Sequence, residues 1–201
     1  MIRVVEGTLV EDGRLGILPA AFNPPTIAHI ALAETAREQF GLDQVALVLP
    51  KTLPHKRLDR EDFDRRLRWL ASLVANQDAW LAASAERGLV VDIVREFREQ
   101  VSAGVELFVI SGRDAAERFA AWDYGDAASF DEQLRHFQLL VGSRNGAYRV
   151  EPRHSRRIHS FAISTEYNRV SATAVRDQLD LKTVPEAIRD SVKKAFVGGL
   201  Q

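Results

Sequence analysis

The sequence predicts an α/β domain, a Rossmann-like parallel sheet with helices on both faces. Three observations carry this. Short apolar runs alternate with amphipathic stretches along almost the whole chain, the pattern of repeated β-α units. Runs such as 44–49 and 106–110 are nearly continuous in apolar residues, as strands buried on both faces tend to be. Polar clusters follow several of these runs directly, where an open α/β sheet places its ligands. A length of 201 residues suits a single domain of this kind, with no internal repeat or long linker to divide it.

Taken in order, residues 1–14 read as an N-terminal extension and 15–201 as the domain proper. In the extension, Val4, Val5, Leu9 and Val10 suggest a strand, or a hairpin turned at Asp12-Gly13. The domain opens with a buried strand at 15–20 and an amphipathic helix at 30–40, stopped by Gly41. A second strand at 44–49 ends at Pro50. The polar, Pro-broken loop 50–60 then carries Lys51, His55, Lys56, Arg57 and Arg60. Phe63, Leu67, Leu70 and Val74 recur at helical spacing, so 63–75 is a helix. Further strands are expected at 79–83, 106–110, 138–141 and 158–163, with helices at 90–101, 115–121, 172–179 and 185–196.

Composition excludes several classes. There are no cysteines, hence no disulfide, thiolate metal site or cysteine nucleophile. A net charge of -1 argues against a general nucleic-acid coat, though not against a local basic site. No apolar run approaches the roughly 20 residues that cross a bilayer, and the N-terminus lacks the apolar core of a signal peptide, so a cytoplasmic protein with no membrane partner is expected. A homo-oligomer is compatible with all of this.

Four clusters carry chemistry. The first is the stretch from Ala20 through Ala21, Phe22, Asn23, Pro24, Pro25 and Thr26 to His29. A strand, a tight turn and a helix start make an anion site, because first-turn N–H groups lack intrahelical acceptors and carry partial positive charge. Thr26 reads as the N-cap, with His29 three residues on. The second is Leu53-Pro54-His55-Lys56-Arg57, whose lysine can reach a polyphosphate but which alone reads as a solvated loop. The third is Ser111-Gly112-Arg113-Asp114 with Trp122 beyond it. Gly112 admits a close backbone approach, while Asp114 is either a ligand to ribose or base, or an N-cap; Trp122 is either an aromatic platform or core. The fourth is Ser171-Ala172-Thr173-Ala174-Val175-Arg176, where hydroxyls, free N–H groups and a guanidinium suit phosphate. A capping box wants Glu or Gln three residues after the cap, and Ala174 and Arg176 stand there instead.

In this order, Phe-Asn-Pro-Pro-Thr-x-x-His, Pro-His-Lys, Gly-x-Asp followed by Trp, and Ser-x-Thr-x-x-Arg, the chain resembles the nucleotidyltransferase superfamily whose first motif is His-x-Gly-His or Thr-x-Gly-His. Within it the chain is most similar to the nicotinate/nicotinamide mononucleotide adenylyltransferases, over about residues 16–196. The resemblance implies transfer of the adenylyl group of ATP to the phosphate of a pyridine mononucleotide, with pyrophosphate released. It implies that Ala21, Phe22, Asn23, Thr26 and His29 face the triphosphate, that Lys56 binds phosphates, and that Gly112 and Asp114 contact the nucleotide. Arg144, in an Arg-x-Gly turn, would help enclose the adenine. Ser171, Thr173 and Arg176 would hold the β- and γ-phosphates, and Trp122 would lie near the acceptor's base. Mg²⁺ would be carried by substrate phosphates, with no dedicated protein ligands.

The pattern departs at three places. Ala28 stands where glycine is usual, and Ala20-Ala21 where Gly-Ser or Gly-Thr is common. On the acceptor side, Gly88-Leu89-Val90-Val91-Asp92 replaces a hydroxyl-bearing run. The open alternatives are the same chemistry on another phosphorylated acceptor or with CTP, and a nucleotide-binding module with little turnover. The basic residues Arg149, Arg153, His154, Arg156 and Arg157 suit either an anionic partner or a solvated loop, and His136, His154 and His159 make no convincing metal set.

Overall fold

A computed structural model describes residues 1–53, 59–122, 129–144 and 146–197, and the backbone of Lys56 and Arg57. Among these, seven strands form one sheet: β1 (Arg3–Glu6), β2 (Arg14–Pro19), β3 (Gln44–Pro50), β6 (Trp80–Ala85), β7 (Glu106–Gly112), β8 (Gln138–Ser143) and β9 (Ile158–Ala162). Their spatial order is β1-β6-β3-β2-β7-β8-β9, and every pairing is parallel except β1 with β6. From β2 the chain therefore winds outward through β3 to β6, then returns to lay β7 on the other side of β2. This reversal opens a crevice beyond the C-terminal ends of β2 and β7, where such sheets bind ligands.

Strand pleating sends alternate side chains to opposite faces, and each face has its own cover. Leu15, Ile17, Val109 and Val141 pack with α3 (Val90–Arg98) and with Ala116 of α4 (Arg113–Ala121). Leu18, Leu47, Ile110 and Leu140 pack with α1 (Ile27–Phe40) and α2 (Arg60–Val74). The expected doubly covered sheet is thus the one observed. α1 closes at Gly41, whose left-handed φ of 58° and N–H bond to the Arg37 carbonyl make a C-cap that favours glycine. α2 starts at Asp59, whose side chain accepts from Asp62 N–H at 2.8 Å.

Of the two readings of the extension, the strand is the one observed: β1 pairs with β6, two strands away from β2, so residues 7–13 run across the strand ends. Gln44 ties that crossing down through the Thr8 carbonyl at 2.8 Å and the Val10 N–H at 3.3 Å. Within the Pro-broken loop, β4 (Thr52–Leu53) pairs antiparallel with β5 (Lys56–Arg57). The last helix divides into a 3-10 turn, Glu186–Ile188, and α7 (Arg189–Val197). Val184, Ile188 and Val192 pack there on Trp69 of α2 and on Val175 of α6 (Ala172–Gln178), and the Trp69 indole donates to Ser191 Oγ at 3.0 Å. This small second core fixes α6 beside α2. A short helix, α5 (Phe130–Gln133), precedes β8.

Candidate active site

The loop that follows β2 is where the site is built. Ala20 N–H still donates to the Val48 carbonyl at 3.1 Å, so the strand register runs to the edge of the loop. Phe22 is buried at 1% exposure with φ +43°, a left-handed conformation that costs a bulky residue about 1–2 kcal/mol. Two guanidinium groups grip the carbonyls on either side of it. Arg66 of α2 donates to the Ala21 carbonyl at 2.9 Å, and Arg176 of α6 donates to the Asn23 carbonyl at 2.5 Å. Among the described residues, neither Phe22 N–H nor Asn23 N–H has an acceptor.

Thr26 caps α1 and is buried at 2% exposure. Its N–H donates to His29 Nδ1 at 3.0 Å, and its hydroxyl lies 2.8 Å from the same nitrogen. A nitrogen that accepts from a backbone N–H carries no proton, so the neutral ring holds its proton on Nε2. The ring, half-buried and tilted against Phe22 at 5.2 Å between centroids, is kept neutral first by burial and then by the Arg144 guanidinium. Together they lower its pKa to about 4. The capping threonine thus orients the histidine, and among the described residues Nε2–H has no acceptor.

The fourth cluster folds onto the first. Ser171 caps α6, its hydroxyl accepting from Thr173 N–H at 3.2 Å. Thr173 Oγ1 receives Arg176 Nη2 at 2.9 Å while Arg176 Nη1 reaches Asn23, so Thr173, Arg176 and the loop form one connected unit. Arg144, after β8, donates to the carbonyls of Tyr167 and Val170, both at 2.8 Å. It therefore ties the 3-10 segment Thr165–Arg169, just before α6, to the end of β8.

At the third cluster, the N-cap of α4 is Gly112 itself, which leaves Asp114 exposed in the first turn and decides against its being the cap. A Cβ built on Gly112 meets nothing within 4 Å, so there is open room above the end of β7. Trp122 ends α4 half-buried and outside the main cores. Of the second cluster, Pro54, His55 and the Lys56 side chain lie outside the described residues.

Sequence reasoning missed Arg66. It is buried at 2% exposure and paired with Asp62. Burial, with the nearby charges of Arg65 and Arg176, draws its pKa down, while Asp62 draws it up. The signal was present: Arg66 falls on the apolar stripe of α2 defined by Phe63, Leu67, Leu70 and Val74. A charge on that stripe needs a partner, and it has two. Ser111 of the third cluster and Ser143, beside Arg144, lie near the ends of β7 and β8, and both hydroxyls are buried without a partner among the described residues.

Other polar features lie elsewhere. His154 Nε2 meets Asp131 at 2.5 Å and Arg153 pairs with Glu151 and Asp131, so part of the basic stretch is a structural strap to α5 ahead of β9. A cavity of about 380 Å³, lined by Arg14, Phe40, Phe108, Gln138 and His159, sits by the N-terminal ends of β2, β7, β8 and β9, away from the loop.

With the geometry in hand, comparison with known proteins is informative. The cytidylyltransferase-like family matches residues 17–178. A probable nicotinate-nucleotide adenylyltransferase of Bordetella parapertussis is 30% identical over 199 residues, covering 92% of this chain and 94% of its own. Its counterpart in Bordetella pertussis is 32% identical over the same shares of both chains. Among solved structures, the nicotinic acid mononucleotide adenylyltransferase of Plasmodium falciparum complexed with NaAD superposes with a TM-score of 0.71, over 94% of this chain and 98% of that one. At 14% identity this likeness speaks for the fold.

Proposed function

The chain belongs to the cytidylyltransferase-like family and groups there with the nicotinate-nucleotide adenylyltransferases; from that membership we propose that it transfers the adenylyl group of ATP to the phosphate of nicotinate or nicotinamide mononucleotide, releasing pyrophosphate. The observation that carries the reading is the meeting of Phe22 and Asn23 N–H, His29 Nε2–H and Arg176 at one loop beyond the strand-order reversal. All are donors, so the site is made for an anion.

The acceptor's phosphate monoester carries close to two negative charges at neutral pH and needs no strong base to attack. It attacks the α-phosphate of ATP in line, the bond to the bridging oxygen breaks, and the electron pair leaves with pyrophosphate. His29 donates a hydrogen bond from Nε2–H to a non-bridging oxygen of the reacting α-phosphate, where negative charge builds up, and keeps its proton throughout. Arg176, Thr173, Ser171 and Lys56 take the β- and γ-phosphates. Gly112 and Asp114 receive the ribose or base, Arg144 borders the adenine, and Trp122 borders the pyridine. Catalysis then rests on positioning and electrostatics, with removal of one aligned donor worth about 10²–10³ in rate. Magnesium would ride on the substrate phosphates and water, and the donors at the loop would hold those phosphates and not the ion itself. When bound, it neutralises phosphate charge.

One observation favours a second acceptor. α3 is capped by Leu89 with no side-chain bond, and Gly88 is pressed against the Thr52 carbonyl, so hydroxyl contacts at that end are replaced by packing. No helix among the described residues is long and apolar enough to cross a membrane. Pyrophosphate release with ATP, Mg²⁺ and either pyridine mononucleotide tests the reading, with His29→Ala as control. Release with one mononucleotide and its loss in the control is expected. ATP binding without release on either mononucleotide overturns the pyridine acceptor, and a panel of phosphorylated acceptors then separates another substrate from a binding module.

A further inference from the structure

We propose that Arg66 is a positioning residue of the reaction: it holds the phosphate-facing loop in its working conformation without touching substrate. The inference rests on the nucleotidyltransferase reading of the same loop. It starts from Phe22, a buried aromatic residue in the left-handed region. A residue there relaxes unless its surroundings over-determine it. Here the over-determination is visible. Arg66 draws the Ala21 carbonyl toward α2, and Arg176 draws the Asn23 carbonyl toward α6. The peptide group before Phe22 and the one after Asn23 are thus pulled from two helices at once, with Phe22 between them. Among the described residues, Phe22 N–H and Asn23 N–H between those two grips have no acceptor.

The two arginines are not equivalent. Arg176 is half-buried, binds Thr173 as well, and meets the substrate's phosphates, so its grip on Asn23 competes with the ligand. Arg66 is buried, and Asp62 on the same helix holds its other arm. Asp62 also pairs with Arg65, and its carboxylate is mostly shielded from solvent at 17% side-chain exposure. This braced fork keeps its bond to Ala21 whether or not ATP is present. When phosphates draw Arg176 away, Arg66 is the remaining restraint on the turn of the backbone at Phe22. A guanidinium suits this task because one planar group donates in two fixed directions, to Asp62 and to Ala21.

The test uses Arg66→Met and Arg66→Lys in the full chain. Three quantities are measured: the melting temperature, the dissociation constants for tripolyphosphate and for adenosine, and the kcat and KM of pyrophosphate release. A role confined to stability lowers the melting temperature and leaves the folded protein's kcat and phosphate affinity unchanged. The positioning role lowers kcat by about a hundredfold in Arg66→Met, as misplacement of a reacting group by about 1 Å does. It also weakens tripolyphosphate binding while adenosine binding and the acceptor KM hold. Lysine keeps the buried charge beside Asp62 but lacks the fork, so Arg66→Lys is expected to fold and still lose kcat by at least about tenfold. Folded Arg66→Met with wild-type kcat and tripolyphosphate affinity would overturn the proposal. If Arg66→Met does not fold, wild-type values in Arg66→Lys overturn it equally. If the wild type turns over neither pyridine mononucleotide, the functional reading fails, yet tripolyphosphate binding still decides the role of Arg66.

Discussion

The acid side of the stability curve should carry the signature of His29. Its ring titrates near 6.5 when free and at about 4 in the folded protein. Between those values the unfolded chain binds a proton that the folded chain does not. Stability therefore falls as pH drops from 6.5 toward 4 and is unaffected by this group above 7. Integrated from pH 7 to pH 5, a shift of that size amounts to at most about 2 kcal/mol, and the open edge of the ring trims this to about 1–2 kcal/mol. The comparison variant is His29→Asn. Its side-chain oxygen can take the place of Nδ1 as acceptor for Thr26 N–H, but it does not titrate. Urea unfolding of both proteins at pH 7 and pH 5 gives the difference directly, and groups common to both cancel. The wild type should lose about 1–2 kcal/mol more than the variant between these pH values. Equal losses would refute the account of a histidine held neutral by burial and Arg144.

Gly112→Ala should fold as well as the wild type, because its Cβ meets nothing in the free protein, yet bind ATP more weakly by about tenfold if a nucleotide fills that space; thermal melts with and without ATP separate the two effects. Gly88→Ala should do the opposite, since its Cβ would lie 2.1 Å from the Thr52 carbonyl. It should destabilise by about 1–3 kcal/mol, and a denaturant midpoint unchanged from wild type would contradict that packing. Arg144→Ala frees the Tyr167 and Val170 carbonyls and removes a positive charge acting on His29. Its His29 resonance, followed by NMR, should titrate above the wild-type value of about 4.

How much could be read beforehand depended on whether a feature was local. Strands 44–49 and 106–110 were recognisable because burial on both faces leaves an apolar run, and α1's end because Gly41 must be left-handed. Thr26 as a cap was equally local. The partner of β1 was not legible: which strand an edge segment joins depends on the crossing of 7–13 over the sheet, and nothing in Arg3–Glu6 encodes β6. Arg66 went unread for a similar reason. Its meaning lies in the Ala21 carbonyl 45 positions earlier, although its place on an apolar stripe was a visible anomaly. His29 was found by motif, but its neutrality comes first from burial and then from Arg144, and only the fold supplies either.

The bond from Arg176 to Asn23 joins positions 153 apart. Closing so long a span is entropically costly, and the contact exists only once α6 has docked on its small core beside α2 and α7. During synthesis, the loop at 20–26 leaves the ribosome well before α6 and α7 and remains half-equipped until both have followed. An unfinished or C-terminally clipped copy could build most of the sheet and still be unable to grip a triphosphate. Nucleotide binding should in turn hold α6 and α7 in place, so that the substrate protects both helices against proteolysis.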